Sequence, residues 1–229
     1  MKTAVATIMG WEQTASGYAA VWATENTRAA LWDAMKRKEV YATTGPRMTV
    51  RFFGGWDFVE ADAQASDVAA AGYDKGVPMG GDLTAAPADK SPTFLVAATK
   101  DPEGGNLDRV QIVKGWVDAK GARQEKVYDV AWSGDRKPGA DGKLPEVGNT
   151  VNVADATYTN DIGAPQLAAA WTDPEFDRAL RAVYYARVIE IPTPRWTAYD
   201  AKRFNVKMGK EVRMITTERA YTSPIWYTP

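Results

Sequence analysis

The chain has no histidine and no cysteine. Histidine is the usual general base near neutral pH and the commonest metal ligand. Cysteine is the other soft ligand and a frequent nucleophile. Without them, Ser-His-Asp and Cys-His catalysis are excluded within this chain, and so is a zinc site of ordinary type. Disulfides are excluded as a source of stability, which leaves the compartment open. An excess of either charge is also lacking, with 28 Lys and Arg against 29 Asp and Glu. No broad field draws the chain to nucleic acid or to an anionic membrane, so neither is expected as a partner. No apolar run approaches the roughly 20 residues that span a bilayer. Met1 to Gly10 carries one lysine and a short apolar stretch, which Trp11 and Glu12 interrupt. No signal peptide is expected there, and the chain reads as soluble. Asn-X-Ser/Thr sequons are absent as well.

What is present is a large apolar fraction, 45% of 229 residues, with nine tryptophans. That suffices for a sizeable core in one large domain, or in a domain with an appendage. The remaining chemistry is that of carboxylate, lysine, tyrosine and arginine. The first expectation is a binding or structural part of something larger.

Two textures follow one another. From Thr24 to Glu39, Ala30, Leu31, Ala34 and Met35 recur at helical spacing. Thr24 or Asn26 is placed to cap this helix, and Lys36, Arg37 and Lys38 suit its last turn. Val40 to Ala42 reads as a short strand closed by Gly45-Pro46. After Arg47 the pattern turns to strands at Met48–Phe53, Thr93–Thr99, Arg109–Val117, Lys126–Trp132, Thr150–Tyr158, Ala182–Ile191 and Val212–Thr217. Connections rich in Gly, Pro and Asp argue for an antiparallel sandwich. Thr172-Asp173-Pro174-Glu175 predicts a helix running to Leu180. Glu60 to Gly81, rich in alanine and glycine, reads as a long loop. The expected fold is mainly β: an antiparallel β-sandwich-like domain over 48–229, preceded by a short α/β element over 1–47.

Several segments invite a chemical reading. Asp135 to Gly142 resembles a calcium loop in composition, but Lys137 and Gly139 stand where oxygen ligands belong. A polar hairpin loop is the better account. Gly76-Val77-Pro78-Met79-Gly80-Gly81-Asp82 lacks the Walker lysine and the Rossmann spacing, so a tight turn is favoured over a phosphate cradle. Asp173, Glu175 and Asp177 form an acidic cluster, suited to acid/base work or to a hard cation. At a helix start, carboxylates are stabilising in any case. Ile191-Pro192-Thr193-Pro194-Arg195-Trp196 is a stiff exit from a strand, where binding groups often sit. Against that, Trp196 can pack over the sandwich end and Arg195 can pair with a carboxylate. Tryptophans 56, 116, 132, 171, 196 and 226 offer a sugar-stacking platform, if they are not core.

Long stretches also resemble one family. They are ENTRAALWDAMKRKEVYATTGPR at 25–47 with the following RFFGGWDF, and GVPMGGDL at 76–83. DPEGGNLDRVQIVKGWVD and KVYDVAWSGDRKP come next, then YYARVIEIPTPRWTAYDA and the closing ERAYTSPIWYTP. Together they resemble the C-terminal region of the domain-of-unknown-function family DUF3604 over nearly the whole chain. The resemblance implies relatives of PHP-type metal-dependent hydrolases acting on phosphoester-like bonds. The metal motifs of such proteins lie in an N-terminal region that has no counterpart here. It implies that residues 1–47 close a PHP-like barrel and that the rest is an appended β-rich domain. The expected role is therefore a non-catalytic C-terminal accessory portion. No metal ligand falls on this chain, and a divalent metal is expected only in the N-terminal region. Expected partners are that barrel region or a second copy, and an anionic small-molecule substrate. Arg47, Arg195, Trp196 and Arg219 are the substrate-facing candidates, the arginines as bidentate anion ligands. The alternatives are an independent ligand- or carbohydrate-binding β-sandwich, or a purely structural or oligomerising module.

Overall fold

Among the described residues strands outnumber helices, and burial alternates residue by residue along the strand Ala182–Glu190. The computed structural model of the protein describes residues 8–229. The expectation about a leader over Met1 to Gly10 lies, for residues 1–7, outside the described residues. After a 3-10 turn at Gly10–Glu12 come strand β1 (Tyr18–Val21), helix α1 (Arg28–Lys36) and strand β2 (Val40–Thr43). Strand β3 (Thr49–Gly55) leads into helices α2 (Glu60–Ala63) and α3 (Val68–Lys75), then strands β4 (Gly76–Pro78) and β5 (Asp82–Leu83). Strands β6 (Thr93–Thr99), β7 (Leu107–Val117) and β8 (Arg123–Trp132) follow. A long connection reaches β9 (Gln166–Thr172) and β10 (Ala182–Glu190). The chain closes with β11 (Thr193–Pro194), α4 (Trp196–Phe204), β12 (Ile215–Thr216), β13 (Arg219–Thr222) and β14 (Ile225–Tyr227).

The fold is mainly β, in antiparallel sheets arranged as a β-sandwich. The larger sheet is built around β10, which pairs with β7 on one flank. Its other flank is shared, β13 taking Arg187 to Ile189 and β14 taking Ala182 to Tyr184. β2 extends the sheet beyond β13, with Ala220 opposite Thr43, and β1 lies outside it. The second sheet runs β4-β3-β6-β9. Between the sheets lies one core. Val50, Phe52, Phe94 and Val96 meet Val110, Ile112, Tyr184, Ala186, Val188 and Ile225. The second sheet also buries its outer face. Phe53 and Leu95 pack there with Phe58 and Ala63, under α2 and α3.

Four local expectations are corrected. Glu60 to Gly81 is not a loop, because Asp67 caps α3 by accepting from the Ala70 N–H at 3.0 Å. Its alanines then cover the second sheet. Thr150 to Tyr158 is not a strand; one bridge between Asn152 and Thr157 closes it into a turn. Thr172 to Leu180 is not a helix, since Asp173 turns its carboxylate on the Glu175 N–H at 2.9 Å instead of leaving the backbone to coil. Only Ile215–Thr216 of the strand expected at 212–217 forms. Among the elements that the pattern did not announce are β1, β9, α4, β13 and β14. The helix expected over 24–39 does form, but Thr27 is its cap, accepting from the Ala30 N–H. Gly80 sits in the turn expected for the glycine-rich segment, at φ +86, where a Cβ would meet the Lys38 carbonyl.

One buried ion pair ties the two sheets together. Lys114 of β7 is 4% exposed and Asp173, just past β9, is 0% exposed. Their charged atoms lie 2.6 Å apart. Lys114 also donates to the Glu175 carbonyl at 2.7 Å, and the Tyr184 hydroxyl donates to Asp173 at 2.7 Å. Burial, then the Asp173 charge, push the Tyr184 phenol well above its ordinary value. A buried pair of this kind adds little net stability over an apolar pair, but breaking it strands a charge. Asp173→Leu is expected to cost about 3–5 kcal/mol in urea unfolding. The double variant Lys114→Met/Asp173→Leu is expected to recover a large part of that loss.

Candidate functional site

Proline at 192 and 194 stiffens the exit from β10 and ends further pairing with β7. The chain then makes a two-residue ladder, β11 against β12, with Thr193 opposite Thr216 and Pro194 opposite Ile215. The Arg195 N–H donates to the Met214 carbonyl at 2.9 Å, and the Thr197 hydroxyl donates to the Arg213 carbonyl. This ladder sets Arg195 beside the 211–216 segment. Three residues after β12 the chain enters β13 at Arg219, whose N–H donates to the Thr44 hydroxyl at 2.9 Å.

These segments, with residues 9–15 and Thr44, enclose a cavity of about 910 Å³. Three of the four candidate residues line it: Arg195, Trp196 and Arg219. Arg47 does not. Its guanidinium faces Asp101 at 3.5 Å and Glu103 at 3.6 Å, and its N–H donates to Asp101. The indole N–H of Trp196 and the guanidinium of Arg195 both donate to the Gln13 carbonyl. The Arg195 guanidinium carbon lies 5.0 Å from the centre of the Trp196 ring.

The lining also includes residues that the sequence did not single out. Arg213 adds a third guanidinium, Trp11 a second indole, and Glu12, Glu211 and Glu218 add carboxylates. Among the described residues, none of the three arginines has a carboxylate within 4.0 Å. Arg195 Nη1 is buried and has no acceptor. The sequence signal for Arg213 was slight: a cation beside a strand, with nothing to show that this strand would face Arg195.

The other candidates are placed elsewhere. Asp173 and Glu175 are occupied by Lys114 and Lys126, and Tyr128 donates to Glu175 at 3.0 Å. Lys126 first, then Tyr128, hold the Glu175 carboxyl below its usual range. Trp56 packs against Phe176 and Tyr227, and Trp171 against Phe94 and Tyr128. Trp132 donates to the Arg136 carbonyl, and Trp226 is 48% exposed. Of the six candidate platform tryptophans, Trp196 alone lines the cavity. Among the described residues no three His, Cys, Asp or Glu side chains are grouped to hold a metal ion. No helix among them is long and apolar enough to cross a membrane.

Residues 1–229 match the model of a family described as a protein of unknown function (DUF3604). No curated protein matches the chain, and no solved structure does.

Glu190 stands at the root of the stiff exit. It is 2% exposed, and its N–H donates to the Glu218 carbonyl at 3.0 Å. One carboxylate oxygen accepts from the Gly105 N–H; the other is buried without a partner among the described residues. Burial pushes its carboxyl up from 4.5 to about 7, aided by the charges of Glu218 and Asp101 and opposed by the Gly105 N–H and Lys100. A folded-state value above the unfolded one means that folding takes up a proton. The stabilising contribution is complete below pH 4.5 and is lost as pH rises to about 7. Over that window stability should fall by something on the order of 3 kcal/mol. Glu190→Gln keeps an oxygen for Gly105 and should flatten the slope, leaving the variant more stable than the parent at about pH 8. Urea titrations across the pH range check this.

Proposed function

Since the chain belongs to the DUF3604 family across residues 1–229, we propose that it is the non-catalytic accessory part of a PHP-like metal-dependent hydrolase. The substrate class is anionic and phosphoester-like. The divalent metal is held by the catalytic part. In this reading residues 1–47 carry the surface that meets the catalytic part, their strands β1 and β2 continuing the larger sheet of the sandwich over 48–229.

The observation that carries the proposal is the outer face of α1. Of its nine residues only Ala34 is buried. Trp32 is 68% exposed and Met35 52%, with Leu31 beside them half-buried. A free-standing helix normally turns such a stripe toward a core. Exposed apolar residues grouped on one face mark a contact surface. Trp22 and Tyr41 of this region are engaged with the core, while Tyr18 is also exposed. Trp22 donates to the Val50 carbonyl at 2.8 Å and stacks under Arg51, whose guanidinium carbon is 3.3 Å from the ring centre. The α1 face therefore stands apart from its surroundings.

A second reading, an independent ligand-binding sandwich, is favoured by the cavity between Trp11 and Trp196. The two readings separate in solution. Under the first, the chain by itself associates through α1, as light scattering would show. Trp32→Glu and Met35→Glu should each return it to a monomer without lowering its melting temperature by more than a few degrees. A chain that is monomeric at all concentrations, with α1 amides protected as well as those of β10, would favour the second. Supplied with manganese, zinc or iron, the chain should hydrolyse neither phosphomonoesters nor phosphodiesters. Metal-stimulated turnover that copurifies with it would overturn the non-catalytic assignment.

A further inference from the structure

We infer that the cavity lined by Trp11 and Trp196 binds an acidic sugar, a pyranose ring carrying a phosphate, sulfate or carboxylate group. The inference rests on reading this cavity as substrate-facing and adds what the cavity recognises. Three chemistries share its space.

The first is anion recognition. Arg195, Arg213 and Arg219 line one cavity, and among the described residues no carboxylate comes within ion-pair distance of them. The guanidinium fork matches an oxyanion in two parallel hydrogen bonds. Arg195 Nη1 is buried and lacks an acceptor. That atom is closed to the cavity, so the ligand anion falls to Arg213 and Arg219, both at exposed positions.

The second is hydroxyl recognition. Glu12, Glu211 and Glu218 line the same space. They argue against a bare inorganic anion, which they would repel. Carboxylates accept hydrogen bonds and cannot donate them. Their presence beside three arginines asks for a ligand that carries donors as well as an anionic group. Sugar hydroxyls are such donors. A hexose phosphate keeps more of them free than a nucleotide does.

The third is ring recognition. Trp11 and Trp196 give the cavity apolar walls, and the Trp196 N–H is already spent on the Gln13 carbonyl. One face of its ring is turned to Arg195 and the other is left to the C–H face of a pyranose, as amphipathic aromatics pack. At about 910 Å³ the cavity lies within the range of small-molecule sites and takes a mono- or disaccharide.

Isothermal titration calorimetry of the full chain tests the assignment. The probes are glucose 6-phosphate, glucose 6-sulfate and glucuronate, with glucose, inorganic phosphate and adenosine 5′-monophosphate as controls. At least one acidic sugar should bind saturably, at least tenfold more tightly than glucose or inorganic phosphate. Arg219→Gln and Arg213→Gln, both at exposed positions, should each weaken that binding about tenfold at unchanged melting temperature. Glu211→Gln should weaken the acidic sugar while strengthening inorganic phosphate. Fluorine resonances of 5-fluorotryptophan, assigned through Trp11→Phe and Trp196→Phe, should shift at those two positions. Silence from all three acidic sugars at millimolar concentration overturns the inference. So does inorganic phosphate binding as tightly as the sugars, or the nucleotide binding more tightly, or indifference to both arginine substitutions. The α1 docking reading is judged by light scattering instead, so either can fail without the other.

Discussion

The register of β10 is the constraint on which the rest of the molecule depends. Its nine residues alternate between buried and half-buried positions, and both flanks are hydrogen-bonded. A slip of one residue would turn Tyr184, Ala186 and Val188 out of the core and break every ladder at once. The same register fixes the chemistry at both ends. Tyr184 near the start meets Asp173, which holds Lys114. Glu190 at the finish meets Gly105 and the Glu218 backbone, and the next five residues deliver Arg195 to the cavity. Core, ion pair and cavity are three readings of one strand.

The interior holds charge in two different ways. Lys114 and Asp173 neutralise each other, and the carbonyl of Glu175 and the hydroxyl of Tyr184 meet their remaining valences. Such a pair contributes orientation more than net stability, because its attraction is spent on leaving water. Glu190 is buried with no cation in contact among the described residues. It stays by sharing one N–H and by holding its proton longer than an ordinary carboxyl. Gly105 makes this possible, since any Cβ there would collide with the carboxylate. The cavity arginines follow a third course. Arg213 and Arg219 lie at exposed positions, where an unmatched guanidinium is hydrated at little cost.

Strands with alternating β-branched and aromatic residues were legible in the sequence: β3, β6, β7, β8 and β10 fall close to their expected spans. β9 was not. Its three alanines have weak strand preference, and they are small because both faces are covered. Ala169 meets the main core, while Ala168 and Ala170 lie under the helices. The Asp173 turn was misread because helix-start chemistry and turn chemistry use the same residues, and only the distant Lys114 decides between them. α4 was hidden by the prolines before it, although Asn205, left-handed at φ 51, marks its end as asparagine often does. Arg195, Trp196 and Arg219 were chosen one by one. Their meeting depends on the β11–β12 ladder, two residues long and below the reach of any pattern. Arg213 offered only a cation in an expected strand, and nothing in the sequence set Trp11 opposite Trp196.

The closing of the main sheet has a consequence in time. β2 pairs with β13, and Thr44 is bonded to a residue 175 positions later. The flank of β10 that β13 and β14 cover cannot be filled until residues 219–227 have left the ribosome. Until then the nascent chain carries an open edge on β2 and another on β10. Open edges recruit other strands. Late, long-range pairing also slows folding and prolongs that exposure. Synthesis is thus the stage at which these edges stand open.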